Sequence, residues 1–108
     1  DHRRLHEAVV TACRPTPGHS VKTLLSFEVA SSTEWQPSGS APYFQPNWFV
    51  DISAQLPRKL QALSLYNSEL RPWPHPRSLR ALEYQSRWRG SQVGFEAAEA
   101  FCLLRQLQ

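Results

Sequence analysis

The chain has 108 residues, a formal net charge of +3 and 41% apolar residues, which supports one domain, or part of one, with a modest core. No apolar run approaches the roughly 20 residues that a membrane helix needs, so we expect no membrane span. The basic residues form scattered pairs such as Arg3/Arg4 and Arg87/Arg89, without a stripe or recognition motif, so we attribute the charge to a solvated surface and expect no nucleic-acid partner.

The first half of the chain predicts one helix and two strands. Residues 2–13 place apolar side chains at the 3.6-residue period of an amphipathic helix, which Pro15 then ends. Residues 21–29 read as a buried strand, and residues 48–52 as a second, shorter strand. The segment 30–47 between them is rich in proline and serine but carries aromatic residues, which is typical of an ordered functional loop.

A second helix is expected after residue 52. Ser53 is a suitable N-cap, and Pro57 is tolerated in a first helical turn. The residues 72–77 that follow this helix are rich in proline and predict a rigid connector. The buried face of the second helix is predicted to contain five residues: Leu56, Leu60, Leu63, Tyr66 and Leu70.

The last third of the chain predicts a third helix and one ambiguous element. Ser78 is expected to cap a helix that continues to about Trp88. Gly90 and Gly94 are expected to interrupt the helical pattern. The apolar residues 95–104 are compatible with either a helix or an edge strand, because periodicity alone does not distinguish them.

The two cysteines, Cys13 and Cys102, lie among apolar residues and form no Cys-x-x-Cys pair. Isolated cysteines in such surroundings are interpreted as buried thiols rather than as a disulfide or a metal pair. This usage favours a reducing compartment, so we expect a cytoplasmic protein.

The first residues contain a possible metal site. His2 and His6 are four residues apart, so a helix would place both imidazoles on one face, and Asp1 adds a carboxylate beside them. The zincin motif requires glutamate directly after the first histidine, where this chain has Arg3. The same four-residue spacing also occurs between ordinary surface histidines that bind no metal, which is the more common case.

Three further polar residues are candidates for binding. Glu34 lies in the long loop, where specificity determinants are often found, although a solvated carboxylate is the commoner role. His75 and Arg77 lie between prolines and could face an anionic or hydroxyl-rich ligand, or could equally anchor the loop. The sequence contains no recognisable Ser/His/Asp or Cys/His arrangement and no phosphate-binding glycine loop.

Several segments occur in an order that is more specific than any single motif. They are Asp1-His2-Arg3-Arg4-Leu5-His6-Glu7-Ala8-Val9, Phe27-Glu28-Val29-Ala30-Ser31-Ser32-Thr33-Glu34-Trp35, Phe44-Gln45-Pro46-Asn47-Trp48-Phe49-Val50-Asp51-Ile52-Ser53, Pro74-His75-Pro76-Arg77-Ser78, Arg89-Gly90-Ser91-Gln92-Val93-Gly94 and Ala98-Glu99-Ala100-Phe101. This order resembles the PIG-L/LmbE-like family of zinc-dependent N-acetylglucosaminyl deacetylases, over nearly the whole chain.

The resemblance implies an α/β fold of the Rossmann-like, three-layer type. Residues 1–108 would form the carboxyl-terminal part of a single domain, incomplete on its own, and residue 1 would not be a natural start. His2 takes the place of the family's later zinc ligand, and Asp1 that of the acid before it, a catalytic residue. The other zinc ligands and the aspartate general base of the family have no counterpart in this chain.

The resemblance also implies a function, the hydrolysis of the N-acetyl group of an amino sugar or its conjugate. Zn²⁺ would be the cofactor, and Glu34, Trp35, His75 and Arg77 the substrate-binding residues, with the indole of Trp35 either stacked on a pyranose or buried in packing. The chain by itself is expected to be inactive, and family members often form homo-oligomers. The alternative is a non-catalytic module that binds a sugar or a partner on the same scaffold.

Overall fold

The computed structural model describes residues 1–40 and 43–108. It contains helices and strands together, which confirms the α/β class in its broad sense. In chain order the elements are α1 (His2–Ala12), β1 (Thr23–Phe27), β2 (Trp48–Asp51), α2 (Leu56–Leu63), α3 (Leu79–Ser91) and β3 (Ala98–Gln106).

The sheet is antiparallel and has the order β1-β3-β2. β3 pairs with β1 from Thr23 opposite Gln106 to Phe27 opposite Phe101, with an irregularity between Leu24 and Leu25. On its other side β3 pairs with β2, where Asp51 lies opposite Ala98. Residues 95–104 were compatible with a helix or an edge strand. Most of them belong to β3, which is the central strand because it has a partner on each side.

The core lies where α2 and α3 cover the start of β3. Ile52, Leu56 and Ala97 are buried together, and Leu60 packs against them. α3 continues through Gly90 to Ser91, so the predicted interruption at Gly90 is wrong. Gly90 has a packing role instead, since the backbone of residues 95–97 approaches it closely.

The start and the length of α2 differ from the prediction. Its N-cap is Gln55, because the backbone of residues 52–55 forms a turn in which the Gln55 N–H donates to the Ile52 carbonyl. Ser53 instead donates both its N–H and its hydroxyl to the Asp51 carboxylate, and these hydrogen bonds lower the pKa of Asp51. The helix ends at Leu63, so the predicted extension to residue 70 is also wrong.

The cap of α3 is confirmed and gives a testable prediction. The hydroxyl of Ser78 is buried and accepts a hydrogen bond from the Ala81 N–H at 3.0 Å. We expect Ser78→Ala to lower the free energy of unfolding by about 1 kcal/mol, because that N–H loses its partner, as measured by urea denaturation. Ser64→Ala is the control, since the Ser64 hydroxyl makes an exposed hydrogen bond to the Gln61 carbonyl and caps no helix N-terminus. Equal losses in the two variants would contradict the capping role.

α1 lies apart from the core. Within the described part of the chain it packs against no other helix or strand, and Leu5 on its apolar side is 61% exposed. Its C-terminal end is held by the guanidinium of Arg105, which donates to the carbonyl of Cys13. Cys13 and Cys102 are both free thiols, as predicted, although each is half-buried.

The described helices are short compared with the thickness of a bilayer. The longest, α3, has 13 residues, against the roughly 20 that a membrane span requires. Across residues 1–40 and 43–108 there is no helix with the length and apolar character to cross a membrane.

Candidate functional site: a groove beside helix α3

The predicted metal-binding residues lie at the exposed start of α1. Asp1 is the N-cap but makes no side-chain capping hydrogen bond. His2 and His6 follow one turn apart in the helix, and all three residues are exposed. Among the described residues, no three His, Cys, Asp or Glu side chains converge to hold a metal ion. The residues present therefore do not by themselves complete a zinc site.

Three of the four predicted substrate-binding residues lie together. The Trp35 ring meets the His75 ring edge-on, with 5.2 Å between centroids and 78° between planes. His75 Nδ1 accepts the Arg77 N–H at 3.0 Å, and the Arg77 guanidinium pairs with Glu69 at 3.0 Å. These contacts favour the loop-anchoring alternative for His75 and Arg77, although the buried Nε of Arg77 has no hydrogen-bond partner among the described residues.

The fourth predicted residue, Glu34, lines a groove between the loop after β1 and helix α3. We call this the α3 groove, and its volume of about 410 Å³ lies within the range of small-molecule sites. The described residues that line it are Glu28, Thr33, Glu34, Tyr43, Phe44, Tyr84, Gln85, Trp88 and Arg89. The structure thus separates Glu34 from its neighbour Trp35, which contacts the proline-rich connector.

An ion pair crosses the α3 groove from the loop to the helix. The Arg89 guanidinium donates two hydrogen bonds to the Glu28 carboxylate, and the two side chains are only 17% and 11% exposed. Arg89 also donates to Gln92 at 3.2 Å and lies 5.5 Å from the centre of the Phe44 ring. Its charge is therefore satisfied within the protein.

The other walls of the groove are aromatic. Tyr84 and Trp88 are one turn apart on α3, and the Trp88 side chain is 64% exposed. Tyr43 enters from the loop and is 75% exposed. Glu34 uses one carboxylate oxygen to accept the Ser31 N–H. The second oxygen has no partner within the part of the chain that the structure describes, so the groove combines a free acceptor with exposed rings.

A smaller cavity of about 150 Å³ lies between α2, α3 and β3. There the Lys59 ammonium contacts the Glu99 carboxylate at 2.5 Å and the Ser86 hydroxyl at 3.1 Å. Ser86 itself donates to the carbonyl of Leu82. The Ser86 hydroxyl proton is thus directed to a backbone carbonyl within α3 and not to the lysine. We therefore interpret this network as structural.

Sequence reasoning missed the contribution of α3 to the site. It assigned α3 no binding role and named Trp88 only as its approximate end. One signal was available, because Tyr84 and Trp88 are four residues apart and therefore share one face of the helix. No comparable signal paired Glu28 with Arg89, which are 61 residues apart.

No protein-family model matches the chain, and no curated protein is significantly similar to it. The resemblance to the deacetylase family therefore stays a prediction.

Proposed function

We propose that this chain forms the carboxyl-terminal part of a zinc-dependent deacetylase of the Rossmann-like type, which hydrolyses the N-acetyl group of an amino sugar or its conjugate. One observation carries the proposal. Glu34, a substrate-binding residue that the resemblance implies, lines a groove of about 410 Å³ together with Thr33, Tyr43 and Phe44 of the same loop.

The lining of the α3 groove suits a sugar. Exposed indole and phenol rings, here Trp88 and Tyr43, offer flat apolar faces to the C–H groups of a pyranose. The free oxygen of Glu34 accepts a hydrogen bond from a sugar hydroxyl, and Thr33 and Gln85 add further polar groups. Trp35, His75 and Arg77 contribute by holding the loop in place.

His2 and Asp1 would act at the metal rather than in the groove. Catalytic zinc is held by about three protein ligands, and the described residues supply at most one of them in His2. The remaining ligands and the general base must come from outside this chain. The exposed position of Asp1 and His2 leaves both side chains accessible for this purpose.

The second candidate function is a non-catalytic module that binds a sugar. It is favoured by one observation, that the described residues form a groove but no group of three metal-ligating side chains. The sequence encoded upstream of Asp1 separates the two candidates. An Ala-His-Pro-Asp-Asp-like segment there supports the enzyme, and its absence favours the binding module.

The proposal predicts that the 108-residue chain alone retains no zinc after dialysis and releases no acetate from N-acetylglucosamine, because its ligand set is incomplete. In the full-length protein, His2→Ala should weaken zinc binding at least about 100-fold. Glu34→Ala should leave zinc binding unchanged and reduce acetate release. Metal content by mass spectrometry and an acetate assay provide the measurements.

Two results would contradict this assignment. Zinc-dependent acetate release by the 108-residue chain alone would show that the site is complete without other residues. Loss of zinc from the full-length Glu34→Ala variant would place Glu34 at the metal and not in the substrate groove.

A further inference from the structure

We propose that the α3 groove binds the free-amine form of an amino sugar, and that Glu34 and the exposed rings of Trp88 and Tyr43 recognise its protonated amine. The inference rests on the proposed function in one respect, the choice of a sugar as the carrier of the amine. The recognition of a cation follows from the charges and rings of the groove itself.

The charge of the groove is the first argument. Glu28 and Arg89 neutralise one another through two hydrogen bonds. Glu34 is then the one formally charged side chain without an ion-pair partner among the lining residues that the structure describes. The described lining residues therefore carry a net charge of −1, located on Glu34, which favours a cation beside that carboxylate. A neighbouring cation, Arg80, lies outside the lining and is held by the Tyr84 hydroxyl and the Trp73 ring.

The aromatic rings are the second argument. A cation near the face of a tryptophan or tyrosine ring is attracted by the negative potential of that face. The rings of Trp88 and Tyr43 are 64% and 75% exposed, and neither has a ring or cation partner within residues 1–40 and 43–108. Phe44 in the same groove already lies 5.5 Å from the Arg89 guanidinium.

These groups distinguish between three related sugars that differ at one carbon atom. Glucosamine carries an ammonium group that can pair with Glu34, whereas N-acetylglucosamine and glucose are neutral at the same carbon atom. The rings accept the pyranose of all three sugars, so the carboxylate decides the preference. The α3 groove therefore selects the chemical form that deacetylation produces.

The test is a titration of the 108-residue chain at pH 6, where glucosamine is protonated, followed by NMR of the tryptophan indole N–H groups. We expect glucosamine to bind at least about fivefold more tightly than N-acetylglucosamine or glucose. The Trp88 signal should shift more than that of Trp48, which lies on β2 and does not line the groove. Equal affinities for the three sugars, or no binding of glucosamine, would overturn the proposal.

Matched variants locate the recognition. Glu34→Gln should abolish the preference for glucosamine, whereas Glu96→Gln, which removes a carboxylate with an 86% exposed side chain, should preserve it. Trp88→Ala should weaken glucosamine binding, and Trp48→Ala, on β2, should not. Because Glu34 and Trp88 are exposed, these variants are expected to remain folded, which circular dichroism checks. A preference that survives Glu34→Gln would overturn the proposal.

The outcome is independent of the deacetylase test, because the titration needs neither zinc nor turnover. A full-length protein that lacks activity but prefers glucosamine would disprove the enzyme and leave the cation site intact. An active full-length enzyme whose 108-residue chain shows no preference for glucosamine would support the deacetylase and disprove the cation site.

Discussion

Replacing Gly90 with alanine is expected to lower the free energy of unfolding by about 3 kcal/mol. A Cβ atom at this position would lie 2.5 Å from the Phe95 carbonyl oxygen and 2.8 Å from both the Cα and the N of Ala97. These are backbone atoms, so rotation of a side chain cannot relieve the contact. Alanine gains about 1 kcal/mol in helix propensity over glycine, which does not offset the clash.

The control for this variant is Gly94→Ala. Gly94 has a φ of +83° and no neighbouring atom within 4 Å of an added Cβ. Its substitution therefore tests backbone strain alone and should cost about 1 kcal/mol. Urea denaturation of both variants beside the wild type measures the difference. If Gly90→Ala is as stable as the wild type, α3 does not approach the backbone of residues 95–97 as closely as the structure indicates.

Replacing Glu28 with alanine is the second change with a large expected effect, a loss of about 3 kcal/mol. The Arg89 guanidinium would remain in a site where its side chain is 17% exposed, without the carboxylate that accepts two of its hydrogen bonds. The shape of the α3 groove should change as well, because the Glu28–Arg89 ion pair joins the loop to helix α3.

Glu83→Ala is the matched control for Glu28→Ala. Glu83 pairs with Arg87 one turn away on α3, where the two side chains are 37% and 50% exposed, so its removal should cost about 0.5 kcal/mol or less. Urea denaturation at low and high salt separates the two pairs, because salt screens the exposed pair more strongly. A Glu28→Ala loss no larger than that of Glu83→Ala would indicate a solvated pair.

A double variant tests the interpretation further. Combining Glu28→Ala with Arg89→Met removes both charges and keeps an apolar chain over Phe44. The combined loss should be smaller than the sum of the two single losses, since each single change leaves an unpaired charge. Additive losses would mean that the two side chains do not interact.

Part of the candidate site could be predicted from the sequence. The position of Glu34 in a proline- and serine-rich loop with aromatic residues suggested a binding segment, and Glu34 does line the α3 groove. Trp35 was expected beside it but contacts His75. Adjacent residues in an irregular loop point in different directions, and the composition of the loop carries no information about which partner each meets.

The elements that depend on near neighbours were determined by the sequence itself. The helical period of residues 2–13 and the serine before Leu79 specify α1 and the start of α3, because helix hydrogen bonds and caps join groups within one turn. The capping prediction was wrong at Ser53, because its hydroxyl, which was expected to cap α2, donates to the carboxylate of Asp51 two residues earlier.

Only the tertiary structure decided which segments distant in sequence contact one another. β3 is central because β1 and β2, from the first half of the chain, pair with its two edges. Glycine is required at position 90 of α3 because the backbone of residues 95–97 lies too close for a side chain. The α3 groove exists because a loop near residue 34 lies against a helix near residue 88. Each depends on the relative position of segments, which local propensity does not encode.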